Sequence, residues 1–454
     1  MNKTISNNSR TFLMIILLIM SFTATLNQTL MVTALPLMMN TLNVNLNTVQ
    51  WLTTGYVLTL GIITPISALL FEKIGNRALF LSSTFLFLIG TIIGSVSNTF
   101  SLVLVARIIQ AASGGIIVTF TQILLLKLFP VSKRGIVIGY INLVISAAPA
   151  IGPTLSGFIL NKFNWHTLFS MTLPVTILII ILGFFFLPNY SEVKDIKIDI
   201  LSITSSILGF GLLLSSFSFF LTNPLLALIL LIIGLIISTY FVMRQLNPNI
   251  SPLLNIRLLN NRSFRNMTIS IMIIFGILMG TETILPLFTE NVLGLSALDT
   301  GLLMLPGAAI MSLLSPFIGK MYDKYGMKWI SVLGIILVIA SCFPMMDMSK
   351  GTSVTSIIIV FTFRMLGLGL LMTVMTSEAF KQVSQNQVNH ATALNNTLRQ
   401  VGASFFNTLM IGISSVPINF VDGVRWAFGG TLLLTLIIAG ILLNYFQKKV
   451  NHTN

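Results

Sequence analysis

Few side chains in this sequence are equipped for proton or ion chemistry, and one of them sits where a charge is expensive. Of 454 residues, 11 are Asp or Glu, 25 are Lys or Arg and three are His. Glu282 falls inside the apolar run Asn266 to Phe288, NMTISIMIIFGILMGTETILPLF, which is long enough to cross a bilayer core. Glu72, Glu192, Asp195, Asp199, Glu290, Asp299, Asp323 and Asp422 read as loop residues, and Asp347 and Glu378 as helix-end residues. An ionised acid in hydrocarbon costs roughly 3 kcal/mol or more, so Glu282 reads as a proton- or cation-binding group. The alternative is a structural acid reached by water, because Glu282 sits in the outer third of its span. Arg107, in Leu104-Val-Ala-Arg107-Ile-Ile-Gln110-Ala-Ala-Ser-Gly114-Gly115, poses the same problem with the opposite sign. It needs a partner, a watery cavity or room to snorkel outward. His166, His390 and His452 are far apart and Cys342 is single, so neither a metal site nor a disulfide is expected. No nucleophile–base pairing points to an enzyme.

The elements that must position Glu282 and Arg107 are membrane helices. Hydrophobic residues make up 55% of the chain and charged residues 8%, against about 25% charged in soluble domains. This predicts an all-α polytopic membrane protein. About fourteen apolar spans are legible, near 11–36, 48–70, 78–97, 101–126, 138–160, 166–187, 199–220, 225–243, 266–288, 300–319, 329–346, 354–376, 391–415 and 425–446. The first run, Thr11 to about Met39, is too long for a signal-peptide core and reads as a retained helix. A net charge of +14 would suggest nucleic acid in a soluble protein. Here the Lys and Arg gather in alternate short loops, as the positive-inside rule requires, which puts both termini in the cytoplasm. The lipid bilayer is then the partner of the basic loops, and no nucleic acid or obligate protein partner is implied.

The chain also repeats itself. Ala68-Leu-Leu-Phe-Glu72-Lys73-Ile-Gly75-Asn-Arg77 joins the second and third spans, and Gly319-Lys-Met-Tyr-Asp323-Lys324-Tyr-Gly326-Met-Lys328 joins the tenth and eleventh. Gly319 follows Ala68 by 251 positions, and Arg364 in the twelfth span follows Arg107 by 257. Two echoes at nearly one offset predict two related six-helix bundles, 1–190 and 261–454, around a two-helix insert and linker, 191–260. Transporters built this way hold substrate at the repeat interface near mid-membrane.

The loop motif resembles the cytoplasmic loop signature of the major facilitator superfamily, G-x-L-x-D-R-x-G-R-K, and the second copy is the better match. The first has Ala68, Glu72 and Lys73 for the glycine, aspartate and arginine. The resemblance implies conformational latches at Glu72, Lys73 and Arg77 and at Asp323 and Lys324. The Arg107–Gln110 stretch is similar to the superfamily's R-x-x-Q-G helix, whose arginine is implicated in proton coupling, with Ala111 for the glycine. The fifth span, Ala148-Pro149-Ala-Ile-Gly152-Pro153-Thr-Leu-Ser156-Gly157, resembles the antiporter motif G-P-x-x-G-G. His390-Ala-Thr-Ala-Leu-Asn395-Asn396-Thr-Leu-Arg399-Gln400-Val-Gly402-Ala403 resembles A-S-A-L-x-N-x-x-R-Q-x-G-G-A of the fourteen-helix drug:proton antiporters. In the first span the family's aspartate is Asn27, which binds through hydrogen bonds but cannot carry a proton.

The resemblance implies a multidrug efflux antiporter of the cell membrane. It would export small lipophilic molecules, cationic or zwitterionic, by alternating access in exchange for protons or sodium, with no cofactor. It would be coupled through Glu282 and Arg107. By the same analogy the first, fourth, ninth and twelfth helices line the cavity. Asn27, Gln28, Gln110, Glu282, Phe361, Met365 and Met372 are then the expected substrate residues. Export of a natural metabolite or siderophore, or a non-transporting membrane sensor, are the alternatives.

Overall fold

The computed structural model describes residues 7–451 except 190–192, 194, 196–198, 221 and 248. Glu192 and the expected boundary at 190/191 lie outside the described residues. Fourteen helices of membrane length run in chain order. The first eight are α1 (Asn7–Leu30), α2 (Trp51–Ile63, continued by Ser67–Ile74), α3 (Asn76–Val96), α4 (Phe100–Leu128), α5 (Arg134–Leu160), α6 (Leu173–Phe186), α7 (Ile200–Phe219) and α8 (Pro224–Gln245). The last six are α9 (Arg262–Asn291), α10 (Ala297–Tyr325), α11 (Lys328–Met346), α12 (Val354–Lys381), α13 (Val388–Ser414) and α14 (Phe420–Asn451). No strand occurs among the described residues. Thirteen of the helices are long and apolar enough to span a membrane. α13 falls short because its buried face carries Asn389, Thr392, Asn395, Asn396 and Thr397. Such a helix is tolerated where it faces protein or a cavity instead of lipid. The helices also run past the apolar cores, so Glu72, Glu290, Asp299, Asp323 and Asp422, expected in loops, lie in helical end turns.

Neighbour relations recur with an eight-helix offset. α1 packs on α5, α2 on α4, α3 on α4 and α6; α9 packs on α13, α10 on α12, α11 on α12 and α14. Between the two groups, α5 lies along α10 and α2 meets α13, which is the same pairing under that offset. Small residues set the α5–α10 distance. A Cβ on Gly139 would lie 2.4 Å from the Ser315 carbonyl oxygen, and one on Gly319 would lie 2.1 Å from that of Gly135. In lipid such close backbone approach supplies the packing energy that apolar burial supplies in water.

α7 and α8 form a hairpin with backbones in close approach, since a Cβ on Gly234 would come within 2.8 Å of the Leu213 nitrogen. Outside the bilayer, Asp199 accepts two bonds from Arg244, at 2.7 and 2.8 Å. α7 leans on both α2 and α13, with Phe217 and Phe405 rings 5.5 Å apart and Trp51 and Phe219 rings 5.8 Å apart. α8 faces outward and exposes Leu225, Ile232 and Ile236, as a lipid-facing helix does.

Two outcomes test this packing. Gly139→Ala is expected to lower the thermal midpoint of the purified chain. Gly157→Ala, where nothing lies within 4 Å of the added Cβ, should hold or raise it, because alanine favours helix; equal effects would refute the α5–α10 seam. The Arg244 guanidinium holds the Asp199 carboxyl at about 2, below its ordinary 3.8. A depressed carboxyl stabilises fully above its unfolded value and loses that contribution as pH falls through the folded one. Asp199→Asn should therefore cost about 1–2 kcal/mol at pH 7, and its difference from wild type should vanish between about pH 4 and pH 2.

Candidate transport site and its closure

A cavity of about 210 Å³ lies between the two helix groups, walled by α1, α2, α4, α5, α9 and α13. α13 contributes most. Asn396, Arg399, Gln400, Ala403, Ser404 and Asn407 recur at three- and four-residue steps, so one helix face supplies them all. Phe275 and Met279 of α9 and Ile145 and Pro149 of α5 make the apolar wall, and Gln28 of α1 adds an amide. Arg399 is the single charged side chain among the lining residues. Its guanidinium rests over the Phe275 ring at 4.9 Å, a cation–π contact that replaces a counterion. Such a cavity offers apolar surface, neutral amides and one fixed positive charge.

Glu282 is half-buried on α9. It follows Met279 by three residues and Phe275 by seven, so it continues the cavity face one turn outward. It is not part of the wall itself. No hydrogen bond or ion pair to it occurs among the described residues.

Arg107 is fully buried and does not reach the cavity. Its Nε donates to the Leu52 carbonyl at 3.1 Å and its Nη1 to the Asn27 carbonyl at 2.9 Å. Longer bonds reach Asn27 Oδ1 and Gln110 Oε1, at 3.4 and 3.3 Å, and the Tyr56 ring lies 4.1 Å below. Gln110 in turn donates to Thr91 at 2.9 Å. Asn27 and Gln110, expected at the cavity, are therefore spent on holding Arg107 between α1, α2 and α4. Asn27 and Gln28 are neighbours about 100° apart on one helix, so only one can face the wall, and it is Gln28. Phe361, Met365 and Met372 are also packed away from it. The first two press on Gly307 of α10, and Met372 is 1% exposed. The lining helices of the last six are α9, as expected, and α13 in place of the expected α12.

Arg364 repeats the Arg107 arrangement. It donates to Thr281 of α9 at 3.0 Å and to Thr431 of α14 at 2.9 Å, with Ser341 and Cys342 of α11 at 3.4 and 3.3 Å. In the fifth helix Gly152 presses on Thr29 of α1, while Gly157 faces open space and Pro153 lies within the unbroken α5. Asn395 is buried with both side-chain polar atoms unpaired among the described residues. Glu282 is not the most enclosed acid. Glu378, expected at a helix end, is 1% exposed and accepts hydroxyls from Tyr322 and Tyr445, each at 2.6 Å.

Of the residues expected to latch, the two acids bond across the groups. Asp323, at the end of α10, accepts the backbone N–H groups of Gly135 and Ile136 at 2.9 and 3.0 Å. It thereby caps α5, where a carboxylate is favoured by the helix N-terminus. Glu72, at the end of α2, accepts from Asn389 Nδ2 at 2.9 Å and lies 3.7 Å from His390 Nε2, at the start of α13. Arg134 adds bonds to the Phe380 and Val383 carbonyls at the end of α12. Arg77 donates to the Phe184 carbonyl at 2.6 Å. Lys324 rests over the Tyr325 ring at 4.9 Å, and Lys73 is half-buried. The bundle is closed at this basic end, with the cavity beyond the closure. Glycine at 135 admits Asp323 to backbone donors; at the matching place in α13, Asn389 supplies a side-chain donor instead.

Fourteen helices, two groups packed alike and a largely apolar cavity with a few amides and one charge between them define a polytopic transporter fold. A family model, the Major Facilitator Superfamily, matches residues 17–407, and the chain belongs to that superfamily. It is 38% identical to an uncharacterized MFS-type transporter, YcnB, of Bacillus subtilis (strain 168), over 97% of this chain and 96% of that one. It is 32% identical to the lincomycin resistance protein LmrB of the same organism, over 96% of each. It is 26% identical to the multidrug transporter protein MdtP of that organism, over 90% of this chain and 76% of the relative. The human organic anion transporter MFSD10 shares the fold, with a TM-score of 0.72 at 13% identity over 95% and 99% of the two chains.

Asp323→Asn leaves one acceptor for two N–H groups. Hydrogen exchange across residues 134–140 should then accelerate roughly tenfold, and unchanged exchange would show that the cap does not hold the closure.

Proposed function

We propose that this transporter exports lipophilic, drug-sized compounds from the cytoplasm in exchange for protons, by alternating access between two six-helix bundles. The carrying observation is the central cavity with Arg399 on its wall and Glu282 one turn outward on the same face of α9. Relatives named for lincomycin and multidrug resistance support a drug-sized substrate. The concentration of Lys and Arg at the latch end supports a cytoplasmic placement of that end, and of both termini, in the cell membrane.

The substrate's apolar body lies against Phe275, Met279 and Pro149, and its polar groups meet the amides of Gln28, Asn396 and Gln400. Arg399 repels a simple cation and favours a carboxylate or other electron-rich group, so zwitterions fit better than permanent cations. Glu282, when ionised, attracts the substrate's ammonium group. When the outer side opens, a proton neutralises Glu282, the attraction ends and the substrate leaves. After return to the inward state, loss of the proton to the cytoplasm restores the charge. Arg107 and Arg364 take no proton in this cycle; they hold their helix groups rigid while the latches break and reform.

Everted vesicles offer the test, with norfloxacin as a fluorescent zwitterion and ethidium as a permanent cation. Glu282→Gln is expected to reduce proton-driven accumulation of norfloxacin about tenfold or more. Undiminished coupled uptake would remove Glu282 from the mechanism. Arg399→Gln should shift the norfloxacin-to-ethidium ratio toward ethidium by about tenfold; an unchanged ratio would reject the substrate charge argued above.

A further inference from the structure

A second cavity lies at the basic end, apart from the transport path. It encloses about 510 Å³ between the start of α9, the end of α12 and the end of α14. Three cations converge on it, Arg262 and Arg265 from α9 and Lys448 from α14, together with Asn266, Gln382 and Asn444. The three cations are exposed. Among the described residues none forms an ion pair. The buried acid beside this cavity, Glu378, is engaged by the hydroxyls of Tyr322 and Tyr445. The first-turn amides of α9 are capped by Asn261, whose side chain accepts from Ser263 and Phe264. Those amides are therefore taken, and the three side-chain cations carry the charge of the site. Three cations from two helices around one space, with no ion pair among the described residues and Arg265 donating only to the Leu259 carbonyl at 3.5 Å, are a site for an anion.

The surface leading to the cavity indicates which anion. On α14, Leu433, Leu436 and Leu443 are exposed apolar residues, 64%, 49% and 62% accessible. With exposed Gly440 they form one stripe at three- and four-residue steps, and nothing lies within 4 Å of where a Gly440 Cβ would be. The same face continues to Asn444 and Lys448 of the cavity. An exposed apolar stripe in the membrane thus ends in a cationic cavity at the headgroup level. We infer that this cavity binds the phosphate headgroup of an anionic phospholipid, with its acyl chains along the α14 stripe. Basic pockets between membrane helices recognise phosphate headgroups through such charge convergence. Free phosphate shares the headgroup chemistry but gains nothing from the stripe. The site adjoins the closure, since Gln382 lies between Phe380 and Val383, whose carbonyls receive Arg134. Lipid bound here stabilises the state closed at the basic end.

The full chain, purified in detergent, provides the test. Retention of dioleoyl phosphatidylglycerol by native mass spectrometry and the thermal midpoint are measured against dioleoyl phosphatidylcholine and against inorganic phosphate. The wild type should retain phosphatidylglycerol and gain thermal stability from it, with little response to the other two. R262Q/K448Q should weaken retention roughly 30-fold, while the charge-matched K320Q/K328Q should retain it. Gly440→Trp, which places a bulky ring in the middle of the stripe, should weaken lipid retention without altering any response to phosphate. Equal loss in the two double variants, or equal retention of the two lipids, would overturn the site. A midpoint rise with phosphate matching that with phosphatidylglycerol, unaffected by Gly440→Trp, would overturn the lipid assignment in favour of a soluble anion.

Discussion

A buried guanidinium in a bilayer has no water to fall back on, and the architecture follows from how two of them are satisfied. Arg107 and Arg364 are each fully buried. Neither has a carboxylate partner among the described residues. Each distributes its donors over carbonyls, hydroxyls or amides, with Arg107 Nη2 left without a hydrogen-bond partner among the described residues, and rests near an aromatic face, Tyr56 for one and Phe428 for the other. Removing a charge from water costs several kcal/mol unless most of its donors are met, so each arginine clamps the helices that supply acceptors. Arg107 fastens α1 and α2 to α4, and Arg364 fastens α9, α11 and α14 to α12. Each arginine thereby ties several helices of its own group together through buried polar bonds.

Contacts between the groups are of a different kind. They include glycine-mediated backbone approach along α5 and α10 and acid-to-helix-start bonds at the basic end, together with Arg134 on the Phe380 and Val383 carbonyls and Asn142 on Thr373. Gly135, Gly139 and Gly319 add no rotamers to reorganise, and Asp323 binds main-chain N–H groups that exist in every conformation of α5. Such contacts can be made and broken without repacking a core. The Arg107 and Arg364 networks lie within each group, and helix capping by Asp323 lies between them. The insert takes part as well. α7 spans the outer junction of α2 with α13 through Phe217 and Phe405, next to the helix that supplies most of the cavity wall.

The cavity's polarity follows from α13. Its stripe of Asn396, Arg399, Gln400 and Asn407 would be intolerable toward lipid, so burial of that face is obligatory and forces α13 against α9 and α4. Asn396 Nδ2 reaches Thr119 of α4 at 3.4 Å, linking the two groups directly at the wall. One fixed positive charge with neutral amides is a different electrostatic environment from an acidic cavity, and it bears on which solutes can enter.

How much of this was legible beforehand depended on the kind of interaction. Span count, helical class and internal repeat follow from the bilayer, which demands about twenty apolar residues per crossing and a topology biased by loop charge. The latch acids were legible as well, because their loop motif is local. The cavity wall was not. Asn27 and Gln28 are equally polar neighbours, and only the rotation of α1 about its axis, set by packing on α4 and α5, turns one toward Arg107 and the other toward the cavity. Phe361, Met365 and Met372 are expected at the cavity, yet Gly307 of α10 lets α12 approach and buries the first two, and Met372 is buried as well. Glu378 read as a terminal acid because its two tyrosine donors lie 56 and 67 positions away in the chain. The sequence by itself determined that charges would lie within membrane helices and at basic loops. Only the tertiary structure decided which of them face a cavity, a latch or each other, because helix rotation and helix-to-helix distance are set by contacts far apart in the chain.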